Sequence, residues 1–149
     1  MVDHPEYVSA AEVQRACAEL GIRDWTRLDD ATVLIEEAEA IRAELGGETL
    51  EIGIEEFRHG LEVELEHGIR FADANVTNNH PLLTGKIVLA HLKEMLDYYL
   101  RLRVAVLEGD MFKALVATDA AAVVASYSRV IDARRELARS EAQAHTHHA

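Results

Sequence analysis

A chain of 149 residues is long enough for one domain with its own core and too short for two comfortable ones. Its formal net charge of −12 lacks the clustered Lys and Arg of a nucleic-acid footprint and disfavours an anionic membrane surface. Hydrophobic residues make up 49% and aromatics 5%, and the composition is that of a globular helix former rather than a disordered chain. Cys17 has no second cysteine to pair with, which fits a reducing compartment. No signal-like segment opens the chain, and the longest apolar stretch, ALVATDAAAVVAS, is interrupted by Asp119 and too short to cross a bilayer. A cytoplasmic protein is expected, with neither nucleic acid nor membrane among its partners.

Five helical segments are predicted. The first runs from Ser9, which with Glu12 forms a capping-box pattern, to Gly21. The second covers about Asp30 to Leu45 and places Leu34, Ala38, Ile41 and Leu45 on one face, closed by GGETLEIG. The third spans 54–70, with Ile54, Phe57, Leu61 and Leu65 as its apolar stripe. After the polar loop FADANVTNNHP, Pro81 opens a fourth helix, with His80 as the helix-start residue; Gly109 and Asp110 set its end near Glu108. The fifth spans 111–139 and carries Phe112, Val116, Val123, Tyr127 and Val130 on one seam. The expected class is all-α: an antiparallel helical bundle in a single domain, 1–140, whose hairpin core is 53–108. Residues 141–149, ending in HTHH, read as a flexible tail able to bind metal loosely.

Histidine and glutamate stand in mirror order on the third and fourth helices: VELEHG holds Glu64 and His67, and AHLKEM holds His91 and Glu94. On a helical wheel Glu64 falls within the apolar face of the third helix and His67 on its margin, while His59, Glu62 and Glu66 face solvent. On the fourth helix His91, Glu94 and Tyr98 share the face that the aliphatics bury. Carboxylates on an apolar face need a partner or a metal. An antiparallel hairpin centred on residue 79 aligns Glu64 with Glu94, His67 with His91 and Gly60 with Tyr98. That register makes a four-ligand set whose His and carboxylate donors suit Fe, Mn or Zn. Tyr98 stands beside it as the residue for a catalytic role, and Asp119 or Glu37 as a further ligand. A hydrogen-bonded network with no metal explains the same pattern, and Cys17 reads as a small core residue.

EVELEH also resembles the Glu-x-x-His motif of ferritin-like carboxylate-bridged centres, whereas HLKE has the reverse order. Over residues 56–101 the blocks EFRHGLEVELEHG, NVTNNHPLLTGKIVLAHLKE and DYYLRL resemble a family of small, uncharacterised bacterial helical proteins. The resemblance implies that the hairpin is the defining unit and implies no activity. Leu96 departs from the proline expected before DYY. The expected function is a metal-binding bundle protein with an iron, manganese or zinc centre, and O₂-dependent oxidation as the chemistry of an iron form. A homodimer is expected, from the length of the last two helices. The alternatives are a non-catalytic dimeric module with a buried Glu/His network, or a metal storage or delivery protein.

Overall fold

A computed structural model describes residues 8–147, with side chains to residue 145. Among these residues all regular structure is helical, and no helix is long and apolar enough to cross a membrane. The fold divides into two compact units, Met1–Leu96 and Asp97–Ala149.

The first unit holds α1 (Ala10–Leu20), α2 (Ile35–Leu45), α3 (Ile54–Arg70) and α4 (Pro81–Glu94), with short 3-10 turns between them. Ser9 caps α1 by accepting from the Glu12 N–H at 3.2 Å, and Gly21 ends it in the left-handed conformation (φ 68°), a pairing the sequence predicts. Helices α2, α3 and α4 pack on one another, and α1 packs on α2 and α4. Phe57, Leu61 and Leu65 form the buried stripe of α3, and Val88 and Leu92 that of α4. Burying each such side chain stabilises by roughly 1.5–3 kcal/mol, enough to hold Glu64 at the margin of the stripe. Cys17 is a core residue, and burial pushes its thiol pKa up.

Helix α4 gains its close approach from Gly85. A Cβ there would lie 2.8 Å from Leu45 Cδ1 and 3.0 Å from Ile41 Cγ2, so only glycine lets these helices meet as they do. Helix α2 starts at Ile35 rather than Asp30, because residues 31–34 form no regular structure and Leu34, with an extended backbone, serves as its N-cap, exposed rather than in the core.

The second unit is a helical hairpin of α5 (Tyr98–Val116) and α6 (Ala120–His147). Among the described residues there are therefore six α-helices rather than the predicted five. The predicted fourth helix is interrupted at Met95, whose backbone is extended (φ −153°, ψ 125°), and α5 begins after Asp97, which stands at its N-cap position without a side-chain capping bond. Helix α5 continues through Gly109, since one interior glycine costs only about 1 kcal/mol against alanine. It stops at Thr118, which adopts φ 56°, and Asp119 begins α6 by accepting from the Ala122 N–H at 3.0 Å. The predicted seam is thereby divided between two helices: Val130 is buried, but Phe112, Val116 and Tyr127 are exposed. Helix α6 extends to His147, so the segment read as a flexible tail is helical up to there; His148 and Ala149 lie outside the described residues.

Candidate functional site

Glu64 and His91 meet across α3 and α4. The stripe of Phe57, Leu61 and Leu65 turns α3 so that Glu64, beside Leu65, faces α4, and its side chain is 15% exposed. On α4, Val88 and Leu92 set the buried face, and His91 lies about 60° to one side of Val88, at its margin, with Nδ1 3.2 Å from Glu64 Oε1. The glutamate oxygen accepts and Nδ1 donates, and in a neutral imidazole the lone-pair nitrogen is then Nε2. His67, one turn along α3, places Nδ1 3.9 Å from Glu64 Oε2, beyond hydrogen-bonding range. One carboxylate therefore addresses two imidazoles, each with a different oxygen.

A pocket of about 220 Å³ adjoins this cluster, with Glu64 and His67 on α3, Thr84 and Ile87 on α4, and Asn75 and Thr77 of the connecting loop in its wall. The loop is held by its own side chains. Asn75 Nδ2 donates to Gly68 O at 3.2 Å and to Asn79 Oδ1 at 2.8 Å, and Thr77 Oγ1 donates to Asn75 Oδ1 at 3.2 Å. Asn78 and Asn79 both take positive φ, a conformation asparagine tolerates better than most residues. Gly68 is what admits them: a Cβ there would lie 2.1 Å from Asn79 Oδ1. These loop residues contribute to the site, and the only sequence signal for them was a run of turn formers. His80 caps α4 as predicted, its Nδ1 accepting from the Leu82 N–H at 3.2 Å, with Nε2 3.8 Å from Glu12 Oε1.

The remaining predicted site residues are placed differently. His91 meets Glu64 across the two helices, a pair the register centred on residue 79 does not align. Glu94 is exposed at the last residue of α4. Among the described residues no group of three or more His, Cys, Asp or Glu is arranged to hold a metal ion, so the predicted four-ligand set is not assembled. Tyr98 opens α5, beyond the extended Met95, and the helical phase that put it on the face of His91 ends there.

Glu37 is a structural carboxylate. It is 3% exposed, and Arg23 donates to both its oxygens, from Nε at 2.8 Å and Nη2 at 2.7 Å, while the Leu34 and Arg23 N–H groups donate at 3.0 and 3.1 Å. Burial opposes its ionisation, but the arginine and the two backbone donors prevail and hold its pKa below the ordinary value. Asp119 is the N-cap of α6. Glu62, read as a solvent residue, is half-buried: it accepts from the Val33 N–H at 3.2 Å and pairs with Arg58 at 2.8 Å. Of the terminal histidines, His145 is exposed on α6, and the side chains of His147 and His148 lie outside the described residues.

No curated protein and no solved structure matches the chain. A family model does, over residues 13–108, and that span includes the whole of α3, the asparagine loop and α4. With most of its length matched, the chain belongs to the family described as Protein of unknown function (DUF5661).

Proposed function

We propose that the α3–α4 face is a transition-metal site in which Glu64, His67 and His91 hold one ion. Two histidines and one carboxylate with open positions suit non-haem iron, and manganese or zinc accepts the same donors. One observation carries this reading: Glu64 turns its two oxygens to two imidazole nitrogens, at 3.2 and 3.9 Å. Donors bound at right angles to one metal at about 2.1 Å lie about 3 Å apart, so the Glu64–His91 separation fits once the ion displaces the proton from Nδ1 and the imidazole carries it on Nε2 instead. His67 is half exposed and reaches that spacing by a side-chain movement of about 1 Å. Iron held in this way supplies O₂-dependent oxidation; the adjoining pocket, with Thr84 and Ile87 in its wall, is then the place for a substrate. Storage or delivery of the ion uses the same three ligands without the substrate.

Elemental analysis of protein purified without an affinity tag and truncated before His145 tests the proposal. About one equivalent of metal is expected after reconstitution with Fe, Mn or Zn, and His67→Ala and His91→Ala should each weaken binding at least tenfold with helicity retained. A chain that stays empty with all three metals overturns it. An absorption band that changes with O₂ then separates an oxidase from a storage protein.

A second reading follows from the absence, among the described residues, of any assembled three-ligand group. The Glu64–His91 bond is then a polar clamp between α3 and α4, worth about 1 kcal/mol. Under that reading His91→Ala lowers stability, and no variant or metal changes the other's effect.

A further inference from the structure

On one side, the hairpin of α5 and α6 is apolar near its loop, with two internal ion pairs, Glu108–Arg134 and Arg101–Glu141, farther from the loop; the other side is mostly charged. Its helices run antiparallel, as the cross-pairs Arg101–Glu141, Arg103–Glu136 and Glu108–Arg134 require. Among the described residues, Val104, Leu107, Val130 and Ala133 form the core cluster between them. With about 100° per residue and this seam as reference, Phe112 and Leu115 of α5 and Val124 and Tyr127 of α6 project to the same side of the hairpin. All four are exposed, by 65%, 60%, 68% and 56%, and Val116 at their edge by 69%. The same phase puts Arg103, Asp110, Arg129 and Glu136 on the other side, together with Val106.

We infer that this apolar side is the contact surface for a second copy of the chain, paired face to face about a two-fold axis. Four observations select that occupant. Two long helices with a core of four small or medium side chains lack a closed interior, and a second hairpin supplies the smallest one, a four-helix bundle. The exposed parts of these side chains amount to roughly 500 Å² per copy, so a symmetric pair buries on the order of 1,000 Å², where specific interfaces begin. In a chain of net charge −12 the face carries no net charge: the charges on its side away from the loop, Glu108 with Arg134 and Arg101 with Glu141, are already paired within the hairpin. A copy therefore meets no like charge there, whereas a partner chosen by charge finds nothing to recognise. Finally, the loop end carries the ring of Phe112 on one helix and that of Tyr127 on the other, aromatic anchors of the kind that centre an interface.

Sedimentation of the full chain tests this, with wild type run beside three variants whose helicity is checked by circular dichroism. Wild type should have twice the chain mass at tens of micromolar. The double variant Phe112→Glu, Val124→Glu should be monomeric, and Val106→Glu, on the opposite side, should remain dimeric. Tyr127→Ser only trims an exposed ring, so it keeps the inference testable if the double variant unfolds; it should weaken association at least fivefold. A monomeric wild type, any stoichiometry other than two, or a dimer that tolerates Tyr127→Ser but is broken by Val106→Glu overturns the inference. Another occupant of this face is then required. Metal content is read independently, so a failed dimer leaves the α3–α4 site untouched.

Discussion

Arg23 closes on Glu37 with two donors, and the α2 N-terminus adds a third through Leu34. This buried carboxylate is therefore fully engaged, and breaking such a group leaves an arginine without its counter-charge. Glu37→Gln should lower stability by about 2 kcal/mol at neutral pH, read as a fall in midpoint in urea. The pH dependence has a definite sign. Because folding depresses the Glu37 pKa from its ordinary 4.5, the stabilisation is full above that value and is lost as pH falls through the folded pKa. Wild type and Glu37→Gln should accordingly converge in acid. A gap that widens below pH 4.5 defeats this account. Single residues at helix starts were legible in the sequence, as Ser9 and His80 show, because a cap needs only its neighbours. Glu37 and Glu62 were not. Their partners Arg23 and Val33 come from segments outside their own helices, and no spacing rule announces such a meeting.

At the scale of the element, two glycines in helices have opposite roles. Gly85 is enclosed by Ile41, Leu45 and Phe57, whereas a Cβ on Gly109 would meet nothing within 4 Å. Alanine improves helix propensity by about 1 kcal/mol at either position. At Gly85 that gain is outweighed by overpacking against a β-branched Ile41, about 1–3 kcal/mol. Gly109→Ala should therefore raise the thermal midpoint and Gly85→Ala lower it. Equal shifts would mean that α4 has room to move away. The sequence could not rank them, because both are single glycines in an otherwise helical pattern. It also named Gly109 as a break and missed Met95, where neither glycine nor proline marks the interruption. The limits of α3 emerged correctly, since its apolar period is regular and glycine precedes it. For the same reason Glu64 and His91 were legible as residues of inward faces, while their register was not.

For the whole molecule, the division at Leu96 and Asp97 gives α1–α4 a core of their own, with Trp25, Ile41, Phe57 and Leu61 fully buried. A fragment ending at Leu96 should retain helical circular dichroism and unfold cooperatively; a fragment without a sigmoidal transition shows that the second unit is needed for the first to fold. By itself the sequence determined the all-helical class, the start of α4, the span of α3 and the inward faces carrying Glu64 and His91. Those follow from local propensity, capping and a 3.6-residue period, which act over one or two turns. Only the tertiary structure decided that His91 meets Glu64, that Glu94 ends exposed, and that Phe112 and Tyr127 are exposed. Register and the placing of a turn depend on how whole faces fit, as at Gly85 against Ile41 and Leu45, and that fit is a property of packed helices rather than of any one segment.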